Sequence, residues 1–240
     1  MTTAAAIAGQ LNAAERRLVT EAIVKAPRKP RVVLEVGTWL GGGSTLHLLR
    51  ALEQNGEGHL WGIEADRAIY ERMLANIGSA APEALHRFTP LFGFSDVVIP
   101  KWLAEQGNDF LVDVAFLDGG DNPLEQITEF RLLDARIPVG GQLLSHDAKL
   151  RKGRWVVPYL SALDNWSAEL HDVSEEGLFH AHKLRASPSP ESLWGAEKEL
   201  RRLRANPVER LGAFLPQPAN AFLLRFLPGR LIRRITQGRR

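Results

Sequence analysis

The hydrophobic positions of this chain fall into a repeating order. Short apolar runs of the length of a buried strand alternate with longer stretches whose apolar residues recur at helical spacing. Val32-Val33-Leu34-Glu35-Val36 is the first such run, and Thr45, Leu46, Leu48, Leu49 and Leu52 follow it with a helical stripe. His59–Glu64, Phe88–Phe92, Val112–Asp118 and Gly140–Asp147 continue the series. Strand and helix alternating in this way predict βαβ units and a mostly parallel sheet. Two later runs, Ala168–Val173 and Leu178–Leu184, are separated only by Ser174-Glu175-Glu176-Gly177, which predicts an antiparallel hairpin at the sheet edge. Before the first strand, Leu18, Ala22 and Ile23 make a narrow stripe for a helix over Ala13–Lys25, closed by Pro27 and Pro30. Ser187-Pro188-Ser189-Pro190 reads as a linker, with a further helical pattern over Leu193–Ala205.

The polar punctuation of these runs carries the chemistry. Gly37-Thr38-Trp39-Leu40-Gly41-Gly42-Gly43-Ser44 joins the first strand to its helix. A strand, a glycine-rich turn and a helix start present backbone N–H groups to an anionic part of a ligand. The glycine spacing is neither that of a dinucleotide fingerprint nor that of a P-loop, and Glu35 would repel a diphosphate. A ligand with a small carboxylate, an amine and a ribose suits it better, which describes S-adenosylmethionine. Glu64 ends the second run about twenty residues on, where an acid chelates ribose hydroxyls. Ser95 and Asp96 follow the third run, Asp118 ends the fourth, and His146 and Asp147 end the fifth. Ligands of doubly wound sheets bind outside the carboxyl ends of the strands, so Glu35, Glu64, Ser95, Asp118, His146 and Asp147 are expected on one rim.

These segments, in this order over roughly residues 30–185, resemble a class I S-adenosylmethionine-dependent methyltransferase. The closest resemblance is to the catechol-type and antibiotic-tailoring small-molecule O-methyltransferases. The resemblance implies a Rossmann-like α/β fold: a doubly wound, mostly parallel seven-stranded sheet with an antiparallel edge hairpin. It implies that Glu35, Gly37, Gly41, Gly43 and Ser44 hold the methionine end of the cofactor, that Glu64 holds its ribose, and that Ser95 and Asp96 meet the adenine edge. Asp118 matches the acid after the fourth strand, and Asp118, His146 and Asp147 stand where related enzymes ligate Mg²⁺ or another divalent cation. The implied reaction is methyl transfer to a hydroxyl oxygen of a small molecule. The chain departs from the pattern twice. The general-base lysine that follows the fourth-strand acid in catechol-type enzymes is replaced here by Gly119-Gly120-Asp121-Asn122, and His146 stands where a second acid is usual. His146 and Lys149 are the candidate bases, and the acceptor pocket is expected from the N-terminal helix, Trp39 and Leu150–Trp155.

Several of these residues also have plainer readings. Gly41–Gly43 fit a simple tight turn, Asp118 fits a helix cap for which Asp121 or Asn122 is better placed, and His146 fits a structural histidine. A dehydrogenase is disfavoured by the glycine spacing. The remaining competitor is a cofactor-binding or interaction module whose basic C-terminal segment carries the biology at a membrane surface or on a partner.

Composition narrows the field further. With 240 residues and 45% hydrophobic content the chain suits one sizeable core, divided here into a helical segment 1–30, a cofactor-binding domain 31–186 and an extension 187–240. It has no cysteine, which excludes disulfides and thiolate chemistry. No signal-like start or membrane-length apolar run is present, so a cytoplasmic location is expected. The net charge of +2 conceals an asymmetry: residues 198–240 carry 11 basic residues against two acids, leaving an acidic body. An acidic body argues against a nucleic-acid substrate. In residues 221–237, apolar Phe222, Leu223, Leu224, Phe226, Leu227, Leu231, Ile232 and Ile235 interleave with four arginines. Such a segment suits peripheral membrane binding, self-association or packing on the chain's own domain.

Overall fold

The structure is a computed structural model that describes residues 7–206. Seven strands form one sheet: β1 (Val32–Val36), β2 (His59–Glu64), β3 (Phe88–Phe92), β4 (Val114–Leu117), β5 (Gln142–His146), β6 (Trp166–His171) and β7 (Leu178–Lys183). Their order is β3-β2-β1-β4-β5-β7-β6. β1 to β5 run parallel, while β7 is antiparallel to β5 and β6 to β7. The strand order reverses between β1 and β4, and this topological switch is where a crevice opens in such sheets.

Helices cover both faces, which is why β1 and β4 read as nearly unbroken apolar runs. Strand residues alternate between the faces. Val33, Val114, Phe116 and Leu144 pack with Val19 and Ile23 of α1 (Ala13–Val24), with Leu48, Leu49 and Leu52 of α2 (Thr45–Asn55), and with Met73 and Ile77 of α3 (Arg67–Ala80). On the opposite face, Leu34, Val36, Ala115, Leu117 and Leu143 pack with α4 (Ser95–Gln106), α5 (Pro123–Leu133) and α6 (Gly153–Ala162). That core includes the buried Trp102, Phe130 and Trp155.

Local sequence sets the helix starts. Asn12 caps α1 in a capping box, accepting from Ala14 and Glu15 N–H while the Glu15 carboxylate accepts from Asn12 N–H. Asn122, rather than Asp118, caps α5 through Leu124 N–H. The final described helix, α7 (Pro190–Ala205), begins three residues before the expected Leu193. Ser189 caps it and Pro190 occupies its first turn, so the expected linker is partly a helix start. α7 adds Ala196 and Leu200 to the core around Phe130, and Glu197 accepts from Tyr159 Oη and Arg131. Among the described residues no helix is long and apolar enough to cross a membrane. The apolar–basic segment 221–237 lies outside the described residues.

Candidate active site

A cavity of about 1170 Å³ opens at the carboxyl ends of β1, β2, β4 and β5. It is lined by Gly37 and Trp39 after β1, Glu64 of β2, Ser95 and Asp96 at the start of α4, Asp118 after β4, and His146 and Asp147 at the end of β5. The size suits a cofactor with a small second substrate. Two non-glycine residues with left-handed backbone, Trp39 at φ 45° and Asp147 at φ 56°, sit at the ends of β1 and β5 and both line the cavity. Conformations that cost about 1–3 kcal/mol each concentrate at sites where a side chain must be aimed.

One part of the wall is built around Glu64, Gly37 and Ser95. Glu64 Oε2 accepts from Trp39 N–H at 2.9 Å, and Oε1 accepts from Ala65 and Asp66 N–H at 2.9 and 3.0 Å. The carboxylate thereby ties the loop after β1 to the loop after β2 and is held at the cavity wall. Gly37 has φ 86°, and a Cβ there would lie 2.6 Å from Gly119 N. Only glycine lets the loops after β1 and β4 meet this closely. Ser95 Oγ donates to Glu129 Oε1 at 2.6 Å, leaving Glu129 Oε2 without a partner. Burial pushes Glu129 up to about 7 despite that hydrogen bond.

The rest of the glycine loop departs from expectation. Gly41 does not line the cavity; its α-carbon faces Ile77 and Met73 of α3. Gly42 lies against the backbone of Ile7 and Ala8, where a Cβ would come within 2.4 Å of their carbonyl oxygens. Gly43 and Ser44 border a small recess that shares Gln10, Gly37, Trp39 and Asp118 with the cavity. Gly41 and Gly42 accommodate the close approach of α3 and of the protein's own N-terminal strap. Glu35 is fully buried beneath the loop and does not reach the cavity wall. Its Oε1 accepts a short hydrogen bond from Ser44 Oγ, and its Oε2 has no partner. Burial, opposed by the Ser44 bond and aided by the charges of Asp118 and Glu64, pushes Glu35 up to about 8.

The other part of the wall is a buried charged cluster. One atom each from Asp118, His146 and Asp147 lies within 4.8 Å of the others, so the expected ligand set does converge. Its centre, however, is already claimed by Lys152. Lys152 Nζ lies 2.7 Å from Asp118 Oδ1, 3.0 Å from the Asp118 carbonyl oxygen and 2.7 Å from Asp147 Oδ2. The lysine side chain is 6% exposed. Burial works against its charged form, but the two aspartates outweigh that and hold its pKa above the ordinary lysine value. Burial likewise opposes ionisation of Asp118, and Lys152 and His146 outweigh it, keeping this acid below the usual carboxylate value.

His146 is sandwiched between acids. Its Nδ1 lies 3.1 Å from Asp118 Oδ1, and its Nε2 lies 3.4 Å from Glu15 Oε1 without a hydrogen bond. Burial lowers its pKa, but the bond to Asp118 and the charges of Asp118, Asp147 and Glu15 together raise it by more, so it ends above the ordinary histidine value. The ring is only 2% exposed, with Nδ1 facing Asp118 and Nε2 facing Glu15. Lys149 is not brought to the cavity. Its Nζ lies 2.5 Å from Asp172 Oδ1 and donates to the Ser174 carbonyl, which pins it to the loop between β6 and β7. Trp155 faces the core at 1% exposure, whereas Leu150, Lys152 and Glu176 line the cavity.

Lys152 carries no sequence signal that separates it from its neighbours in Lys149-Leu150-Arg151-Lys152. The signal is tertiary. Gly153 packs so closely on Ala148 that a Cβ would lie 2.3 Å from its carbonyl oxygen. That contact folds the turn 147–152 back on itself and brings Lys152 to the strand ends.

The comparisons with known proteins agree with this geometry. Residues 34–148 match the family model of a methyltransferase domain. No curated protein matches the chain in sequence. Among solved structures, a Klebsiella pneumoniae protein assigned as an O-methyltransferase superposes with a TM-score of 0.60 at 19% identity, over 73% of this chain and 82% of that one. The Bacillus cereus O-methyltransferase in complex with SAH gives 0.58 at 18% identity, over 72% and 82%. The SAH-bound methyltransferase PaMTH1 of Podospora anserina gives 0.52 at 14% identity, over 73% and 80%. At these identities the likeness speaks for the fold, and the match over residues 34–148 is to a methyltransferase domain. Residues 34–148 are therefore similar to a methyltransferase domain, and the sheet that contains them has the fold of solved methyltransferases.

Proposed function

We propose that the cavity at the carboxyl ends of β1, β2, β4 and β5 binds S-adenosylmethionine together with a small hydroxylated acceptor, and that the product is a methyl ether. The observation that carries this reading is the joint lining of one cavity by Glu64 and by the charged cluster at Asp118, His146, Asp147 and Lys152. The SAH found in the Bacillus cereus structure is the demethylated form of the same cofactor, which supports the cofactor assignment.

Glu64 would accept from ribose hydroxyls, Gly37 would admit the ligand's sulfonium end beside Asp118, and Ser95 and Asp96 would meet the base. When bound, S-adenosylmethionine supplies an electrophilic methyl group: the acceptor oxygen bonds to the methyl carbon while the carbon–sulfur bond breaks, its electron pair remaining on sulfur. The protein's own part is alignment and removal of the hydroxyl proton. Asp147 is the most exposed carboxylate of the cluster, at 18%, and is the residue we assign to take that proton and release it to solvent. Lys152, turned toward both aspartates, contributes positive charge beside the acceptor oxygen.

Calorimetry with S-adenosylmethionine tests the first half of this reading, and transfer of a labelled methyl group to catechol and to sugar hydroxyls tests the second. Glu64→Ala is expected to weaken cofactor binding by about 1–3 kcal/mol, the scale of lost buried hydrogen-bond partners. A folded variant with unchanged affinity would remove Glu64 from the site. Cofactor binding without transfer to any hydroxyl would favour the non-catalytic binding module.

A further inference from the structure

Two acids and an imidazole at the strand ends suggest a divalent metal, yet the donor set does not fit one. Lys152 already directs its three N–H bonds to three oxygens: Asp118 Oδ1, the Asp118 carbonyl and Asp147 Oδ2. An ammonium has three donors, so this one is saturated by the same hard oxygens that a Mg²⁺ ion would seek. An ion at about 2.1 Å from either carboxylate oxygen would lie within about 5 Å of the ammonium nitrogen, whose side chain is 6% exposed and repels a second cation. Making room would mean withdrawing a buried lysine from both of its acids and leaving it without partners.

We propose that the Lys152 ammonium takes the place of a divalent ion at the ends of β4 and β5, so that methyl transfer by this chain runs without a metal. Lys152 is then a positioning residue. It holds Asp118 and Asp147 together at a fixed separation and supplies the charge that a metal would otherwise bring beside the acceptor oxygen. The cation reaches the site from the turn before α6, which the close packing of Gly153 on Ala148 folds inward. This also accounts for the missing lysine after Asp118: a lysine does stand at this acid, delivered from 34 residues further along the chain.

The inference rests on the cavity being the methyl-transfer site, and the primary readout is chosen to be independent of any acceptor. Mn²⁺ binding to the full chain, followed by electron paramagnetic resonance, is expected to show no bound ion in the wild type. Lys152→Gln, which keeps length and removes charge, should open the cradle and create a Mn²⁺ site that a further Asp147→Asn change removes. With catechol as the probe acceptor, the wild-type rate should be unchanged in EDTA. Lys152→Gln should lose at least tenfold in rate and recover part of it with Mn²⁺ or with methylammonium, a recovery that a purely structural role would not give. A wild-type Mn²⁺ site that Asp147→Asn abolishes would overturn the inference, as would a wild-type rate in Lys152→Gln. If Lys152→Gln does not fold, the wild-type titration and its Asp147→Asn control still decide. Failure of S-adenosylmethionine to bind in parallel calorimetry would instead defeat the methyl-transfer reading, whereas cofactor binding together with a wild-type metal site defeats only this inference.

Discussion

Glu35 offers the sharpest link between the buried geometry and a solution measurement. Its carboxyl group is fully enclosed under the start of α2, with one oxygen bonded to Ser44 Oγ and the other without a partner. Its pKa stands at about 8, against 4.5 for an unburied glutamate. Between those values the folded chain keeps a proton that the unfolded chain releases. Stability contributed by the neutral group is therefore fully present below pH 4.5 and is lost as pH rises toward 8. A tenfold difference in proton affinity between the folded and unfolded chain is worth about 1.4 kcal/mol, so the wild type should lose on the order of 4 kcal/mol from this residue by about pH 8. Glu35→Gln removes the titration with little change of shape, its amide nitrogen replacing the protonated oxygen and bringing two unpaired donors where the acid has one. The variant should therefore start at or below the wild type at pH 5 and gain on it steadily as pH rises, by on the order of 4 kcal/mol by about pH 8. Glu129, raised to about 7, adds a slope of the same sign to both proteins, so the difference between them isolates Glu35. Urea unfolding at pH 5, 6, 7 and 8 reads the effect directly. Parallel stability curves for the two proteins would refute the buried, proton-holding state assigned to Glu35.

Two other substitutions probe the site. Gly37→Ala forces a Cβ to within 2.6 Å of the Gly119 backbone at a positive φ, so it should lower the melting temperature and abolish cofactor binding; a variant with normal affinity would show that the loops after β1 and β4 need not meet this closely. Lys149→Ala removes an ion pair to Asp172, whose side chain is 78% exposed, so transfer should stay within about twofold and stability within about 1 kcal/mol; a large loss of rate would restore Lys149 as a candidate base.

The order of elements was legible in the sequence because it rests on periodicity. The apolar runs of β1 and β4 announce strands covered on both faces, and the single Ser174–Gly177 connection forces the last two strands to pair antiparallel. The polar residues ending each strand could be placed on one rim, since a parallel sheet brings its carboxyl ends together. Glu64, Ser95, Asp96, Asp118, His146 and Asp147 all line the cavity for that reason. Local pattern could not decide what each residue faces once there. Glu35 alternates onto the α2 side of its strand and is sealed under Ser44, and Gly41 and Gly42 accommodate α3 and the N-terminal strap. Lys149 and Lys152 are indistinguishable as sequence, three residues apart in one basic run. Only the fold separates them: one reaches outward to Asp172, and the other turns inward where Gly153 packs on Ala148, to lie between two buried aspartates. A charge's role depends on which carboxylates surround it, and contacts between residues 118, 147 and 152 exist only after the sheet and the α6 turn have closed on each other.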